Sequence, residues 1–273
     1  MVNEVFPKVF VFDLDGTLAR SKQPIDSEMA GFLQRVIRRG SLIIVVSGAG
    51  YDQFSIQVTN PLEGFLDGNC SFGMFRNLIL LPLNGSEIYL FEGIPARWER
   101  IVSSNFDESE KQQIYDAFDV ALSKSGYNHP ETVYGELIED RGAQITFSAL
   151  GQKAPLELKE KYDPDQRKRL AIRKHLEPLL PNFEIRIGGT TSIDVNRKGQ
   201  DKAYGVDLVM RNIVGPDYSH FLPKCLFIGD ALYEGGNDES VKRLKIPCRQ
   251  VKGISDTKAL IRELLDENQN NES

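Results

Sequence analysis

Apolar positions along the chain fall into two textures. Val9–Phe12 in "VFVFD" and Leu42–Val46 in "LIIVV" are continuous apolar runs, the pattern of strands buried on both faces of a parallel sheet. Between them Met29, Phe32, Leu33, Val36 and Ile37 recur at i, i+3, i+4, i+7 and i+8. That stripe predicts a helix with one apolar face, opened by Asp26 as N-cap and ended by Gly40. Far along the chain "KCLFIGD" (Lys224–Asp230) repeats the order of apolar strand, glycine and acid, "PCRQV" reads as a short strand, and 256–265 as a last helix. The middle alternates more loosely. It predicts helices over Glu108–Lys124 and Asp165–Leu176, and strands at "TVYGELIE", "AQITFSAL", "FEIRIGG" and "TSIDV", joined by glycine and proline turns. The pattern therefore predicts an α/β core with a parallel sheet, made of residues 1–92 and 197–273, interrupted by an inserted α+β domain over 93–196. The polar tail "DENQNNES" is expected to be disordered.

The strand ends carry the chemistry. Asp13 and Asp15 stand two residues apart where the first run ends, so they share a face at the edge of the sheet where α/β folds hold ligands. Two carboxylates so close repel unless a cation, a shared proton or hydrogen bonds compensate. Other strand ends add Ser47 with Gly48, then Asp230, and "GGND" adds Asn237 and Asp238. "GQDKAYGV" sets Lys202 at a helix start, with Lys198 as a competing candidate. Oxygen donors of this kind suit Mg²⁺, which would neutralise the acid pair and leave Asp13 free to attack phosphorus. Asp15 would then serve as general acid and base. Ser47 and the N–H groups around Gly48 would bind phosphoryl oxygens, and Lys202 would balance an aspartyl-phosphate. Plainer readings stand beside these: Ser47 as a cap, Asn237–Asp238 as a turn, Lys202 as a surface lysine.

Composition narrows the class. A net charge of −6 argues against a broad nucleic-acid surface. No apolar run reaches the ~20 residues of a membrane span, and the N-terminus lacks the pattern of a secretory signal. Cys70, Cys225 and Cys248 are far apart without CxxC spacing and read as reduced, mostly buried thiols. The expectation is a cytoplasmic enzyme with a small-molecule substrate.

"DLDGTL", "VVSG", "GQDKAYGV" and "GDALYEGGND" occur in an order and spacing that resembles the haloacid dehalogenase (HAD) superfamily. Further stretches are similar to the eukaryotic-type phosphomannomutases. "IGGTTSIDVNRKGQDKAYGV" looks like their return from cap to core (GG, SFDV, GWDK), "LNGSEIYL" like their ENGT strand end, and "EDRGAQITFSALGQ" like the cap strand that closes in SPIGR. The likeness runs from Lys8 to Leu265. It implies a Rossmann-like HAD core with an α+β cap that closes over the substrate, Asp13 as nucleophile and Asp15 as acid/base. It implies Mg²⁺ held by Asp13, the Asp15 carbonyl and Asp230, with Asp238 near the metal. In the cap, Arg141, Ser192 and Asp194 fall where the mutases contact their sugar phosphate. The mutases commonly dimerise through their caps, so the resemblance also opens a homodimer.

The chain departs from that pattern at the cations. Lys22 stands for an arginine after DGTL, Gln152 followed by Lys153 for the arginine of SPIGR, and Lys159 for another. Arginine grips phosphate with a bidentate fork, lysine with a point charge. The leading expectation is accordingly a Mg²⁺-dependent phosphatase of small phosphorylated sugars, working through an aspartyl-phosphate. The alternative is a phosphomannomutase or related hexose phosphomutase; the two differ in whether water or a sugar hydroxyl accepts the phosphoryl group. A non-catalytic sugar-phosphate binder is a third reading, disfavoured by intact Asp13, Asp15, Lys202 and Asp230.

Overall fold

The computed structural model describes residues 6–65, 72–92, 95–215 and 218–267. Cys70 and the tail beyond residue 267 lie outside them. In chain order the elements are β1 (Val9–Asp13), α1 (Ser27–Arg38), β2 (Leu42–Val46), α2 (Tyr51–Phe54), α3 (Asn60–Phe65), β3 (Leu78–Leu81), β4 (Glu87–Glu92) and β5 (Arg97–Ser103). There follow α4 (Glu108–Ser125), β6 (Ile138–Asp140), β7 (Gln144–Ser148), α5 (Leu156–Tyr162), α6 (Arg167–Leu176), β8 (Phe183–Gly188) and β9 (Ser192–Arg197). The chain closes with α7 (Lys202–Val209), β10 (Cys225–Gly229), β11 (Cys248–Gln250) and α8 (Ile254–Glu267). It divides into two compact units, Ser104–Gly199 and the residues on either side of that insert.

Among the described residues the first unit holds a seven-stranded sheet in the order β11-β10-β1-β2-β3-β4-β5, parallel as far as β3 and antiparallel from there. The continuous apolar runs split between its two faces with a period of two. Phe10, Phe12, Ile43, Val45, Leu78 and Leu80 pack towards α1 and α8, while Val9, Val11, Ile44, Val46, Ile79 and Leu81 pack towards α7. Strand order reverses where β1 lies between β10 and β2, the switch point beside which such sheets bind ligands. Asp26 caps α1 as its spacing predicts, accepting from the Met29 N–H. The insert boundary differs from the expected 93–196. Strand β5 pairs with β4, and Trp98 packs on Phe91 and Phe75 at 5.4 and 5.9 Å, so it completes the first sheet.

The second unit is a four-stranded antiparallel sheet, β6-β7-β9-β8, covered on one face by α4 and α6. Ile145, Phe147, Ile193 and Val195 meet Ile114, Phe118, Ile172 and Leu176 there. The strand expected over "TVYGELIE" reduces to β6. Upstream of it the backbone folds around the turn after β7, with Tyr134 N–H on Leu150 O and Lys153 N–H on Tyr134 O at 3.0 and 2.8 Å. Gly151 (φ +87) makes this fit, since a Cβ there would lie 2.4 Å from the Tyr134 carbonyl. No helix among the described residues is long and apolar enough to cross a membrane.

Candidate active site

Parallel strands β1, β2 and β10 deliver their last residues to one edge of the sheet. Asp13 ends β1 and is 3% exposed. Lys202, fully buried, opens α7, whose N-cap Asp201 accepts from the Tyr204 N–H and is held by Arg243. Lys202 Nζ donates to Asp13 Oδ1 and, at 2.6 Å, to Asp238 Oδ1. The other Asp238 oxygen takes the Ala231 N–H at 2.9 Å, so the "GGND" stretch is a turn that also aims a buried carboxylate at the site. One oxygen from each of Asp13, Asp230 and Asp238 lies within 4.8 Å of the others.

Electrostatics makes this cluster hungry for a cation. Burial pushes the Asp13 carboxyl up to about 6 against the pull of Lys202, and the charges of Asp238 and Asp230 add to the rise. Burial raises Asp230 as well, and Asp238 raises it further. Burial alone would lower Lys202, but the carboxylates of Asp13 and Asp238 overcome it and hold the ammonium above its ordinary value. Three carboxylates against one ammonium leave an excess of about two negative charges, which an oxygen-seeking divalent cation fits. Gly16 (φ +85) keeps the space open, because a Cβ there would lie 2.4 Å from Asp230 Oδ2.

Asp15 is held differently. Its Oδ1 accepts from Gln57 Nε2 and from the Lys22 backbone N–H, both at 3.0 Å. Lys22 thus reaches the expected acid/base through its main chain, in a left-handed conformation (φ 59), and its residue is exposed. Gln57 is fully buried within a π-helical turn, Ser55–Thr59, and its main-chain carbonyl accepts from Ile25 N–H. Sequence reasoning missed it. A signal existed: Gln57 falls at a core-facing position three residues after Phe54 and one before Val58, both buried.

Ser47 ends the loop side of β2, buried, with Oγ accepting from Ala49 N–H at 3.2 Å. Beside it the turn Leu83–Gly85 runs through three successive left-handed residues (φ 51, 59 and 88), bound by Asn84 N–H to Ser47 O at 2.8 Å. The Asn84 amide lies against Gly48, 3.6 Å from where a Cβ would stand. This is the second residue that the sequence reading passed over, although Asn-Gly is a left-handed turn signal. Gly85 in turn touches Gly205 of α7 so closely that a Cβ on Gly205 would lie 2.5 Å from the Gly85 Cα. The contact sets α7, and with it Lys202, against the Leu83–Gly85 turn beside Ser47.

In the second unit Ser192 and Asp194 lie on the polar sheet face, Asp194 opposite Thr146 and Ser192 opposite Ser148. Burial raises the Asp194 carboxyl, opposed by the Thr146 hydroxyl and by Arg141. Arg141 itself pairs with Glu139 at 2.6 Å, while Asp140 pairs with Lys111 at 3.0 Å. Lys153 is exposed in the turn after β7, and Lys159 on α5 donates to the Gln152 carbonyl at 2.8 Å. These two lysines stand off the sheet.

Comparison with known proteins places this arrangement. A haloacid dehalogenase-like hydrolase from Bacteroides thetaiotaomicron superposes with a TM-score of 0.62 at 16% identity, covering 94% of this chain and 99% of that one. An N-terminally truncated IMP-nucleotidase from Plasmodium falciparum gives 0.70 at 17% identity, over 95% and 70% of the two chains. The fold is that of the HAD phosphoryl-transfer enzymes. The family model described as eukaryotic phosphomannomutase matches residues 106–267, and the chain belongs to that family. Among its relatives are a probable phosphomannomutase of Caenorhabditis elegans, 25% identical over 95% of this chain and 96% of that protein, and human phosphomannomutase 1, 27% identical over 84% and 80%. The protein is thus an enzyme, a phosphatase or a phosphomutase. Its relatives carry names that favour the second reaction expected from the sequence over the first.

Proposed function

We propose that the protein is a Mg²⁺-dependent hexose phosphomutase of the phosphomannomutase type, acting through an aspartyl-phosphate on Asp13. The observation that carries the mutase over the phosphatase is the family match itself, which spans the second unit and returns into the first. Mg²⁺ would be held by Asp13, Asp230 and the Asp15 carbonyl with Asp238 close by, and when bound it supplies charge neutralisation at the phosphoryl group. Asp13 attacks phosphorus. Lys202, already shared between Asp13 and Asp238, keeps a positive charge beside the modified carboxylate. Asp15 has both N–H donors on Oδ1, so Oδ2 carries the proton to the leaving oxygen and takes one from the acceptor. Ser47, the Gly48 N–H and Lys22 receive phosphoryl oxygens. On the second unit Arg141, Ser192, Asp194, Lys153 and Lys159 bind the rest of the sugar phosphate. Two free thiols, Cys225 pushed up to about 12 by burial and Cys248 also raised by burial, suit a reducing cytoplasm.

Hydrolysis stays as the second reading on one observation: Gln152, in the place of a clamp arginine, spends its side-chain Nε2 on the Thr146 main-chain carbonyl at 3.3 Å. A phosphorus NMR time course with mannose 1-phosphate, Mg²⁺ and a trace of hexose 1,6-bisphosphate decides between them. Growth of a 6-phosphate signal is expected. Growth of inorganic phosphate in its place would make the protein a phosphatase.

A further inference from the structure

Three polar residues on the sheet of the second unit take no part in the chemistry above, yet they are buried. Gln144, Thr146 and Asn196 are each 1% exposed or less, and they share a face with Asp194, Thr146 opposite Asp194 and Gln144 opposite Asn196. Burying such groups is costly unless they answer one another. They do so in a single line. Asn196 Nδ2 donates to Gln144 Oε1 at 3.1 Å, Gln144 Nε2 to Thr146 Oγ1 at 2.9 Å, and the Thr146 hydroxyl to Asp194 Oδ1 at 2.8 Å.

The line runs in one direction. Thr146 Oγ1 receives the Gln144 N–H, so the single proton of its hydroxyl is left for Asp194 Oδ1. Gln144 therefore turns its carbonyl to Asn196, whose own Oδ1 is left buried with no partner among the described residues. Two arginines act on the charge of Asp194, Arg141 and Arg186. Each is paired instead with the glutamate two residues before it, Arg141 with Glu139 at 2.6 Å and Arg186 with Glu184 at 2.9 Å. Asp194 Oδ2 lies over Gly188, where a Cβ would come within 2.5 Å of it. A carboxyl oxygen left without a hydrogen-bond partner among the described residues, beside one already held by Thr146, suits an O–H better than a phosphate.

We propose that Asn196, Gln144 and Thr146 form a positioning relay that fixes Oδ1 of Asp194 and presents Oδ2 to a hydroxyl of the sugar, setting how tightly the second unit takes a polyol. The inference rests on the reading that Asp194 contacts the sugar phosphate. A hydroxyl that does not react is bound equally in ground and transition state, so the relay acts on KM and not on kcat.

Steady-state turnover of mannose 1-phosphate by the wild type, Thr146→Val, Thr146→Ser, Gln144→Met and Asp194→Asn tests it. Thr146→Val keeps the volume and removes the donor, and KM is expected to rise about tenfold, the worth of one hydrogen bond to a charged group, with kcat within about twofold. Thr146→Ser restores the wild-type KM. Gln144→Met raises KM about threefold by loosening the chain one link back, and it carries the test if valine at 146 prevents folding. A raised KM in Asp194→Asn alone, with Thr146→Val and Gln144→Met at the wild-type value, overturns the relay while leaving Asp194 as a sugar contact. A wild-type KM in Asp194→Asn overturns both. A Thr146→Ser enzyme as impaired as Thr146→Val also overturns the relay, because the hydroxyl would then not be what matters.

Discussion

Asp15, the proposed acid/base, is oriented by neutral neighbours. Gln57 and the Lys22 N–H hold one of its oxygens through neutral donors. Gln57→Leu should slow turnover of the sugar phosphate by about tenfold or more, part of the 10²–10⁴ that an aligned acid contributes. Turnover of 2,4-dinitrophenyl phosphate, whose leaving group needs no proton, should stay within about threefold. Equal losses on both substrates would reduce Gln57 to a packing residue. Asp13, Asp15, Ser47, Asp230 and Lys202 were legible in the sequence because each stands at a strand end or helix start, where an apolar run stops and the polar residue has nowhere to go but the sheet edge. Gln57 and Asn84 were harder to read, because the inward position of Gln57 and the Asn-Gly turn signal do not show which group each side chain meets once a π-turn and a left-handed turn have aimed it.

Elements meet most tightly where α7 crosses the Leu83–Gly85 turn. The atoms that a Cβ on Gly205 would strike are backbone, the Gly85 Cα and, at 3.0 Å, the Asn84 carbonyl oxygen, so neither side can yield by a rotamer change. Gly205→Ala should cost about 1–3 kcal/mol in denaturant unfolding and lower kcat together with it, since Lys202 rides on the displaced helix. A second junction sits in the inserted unit. Arg169, 2% exposed, reaches Asp163 at 2.9 Å and the carbonyls of Gly188 and Gly189 at 3.0 and 2.8 Å, tying the start of α6 to the end of β8. Burial would raise Asp163, but the Arg169 hydrogen bond and two backbone N–H groups overcome it and hold it below its ordinary 3.8. A depressed carboxyl contributes stability that is present above about pH 4 and is lost as pH falls through the lowered value. Arg169→Met, which leaves Asp163 buried alone, should cost about 3–5 kcal/mol near neutral pH and flatten the acid limb of a melting-temperature profile. The strands and long helices here follow visible periods; α5 does not, since its Leu156 and Leu158 are exposed and offer no apolar stripe to read.

At the scale of the molecule, an ion held by the acid cluster as proposed would tie stability and activity together. Chelation should abolish turnover and Mg²⁺ restore it, and the melting temperature should rise with added Mg²⁺, by the equivalent of ~2.7 kcal/mol at a hundredfold excess over Kd. In Asp230→Asn that rise should shrink, and an undiminished rise would place the ion elsewhere. The apolar runs change texture near residues 93 and 197, while an edge strand such as β5, half exposed, carries too weak a pattern to claim for either side. The order of strands has a consequence for synthesis. β1 is made before both strands it lies between, β2 and β10, so one of its edges stays open while about two hundred further residues leave the ribosome, on the order of ten to forty seconds at ordinary rates. The insert, by contrast, is contiguous and is complete before α7 emerges. Asp13 therefore waits for Lys202 and Asp230, and a nascent chain holds this carboxylate in an unfinished sheet with an edge that nascent neighbours or a chaperone can occupy.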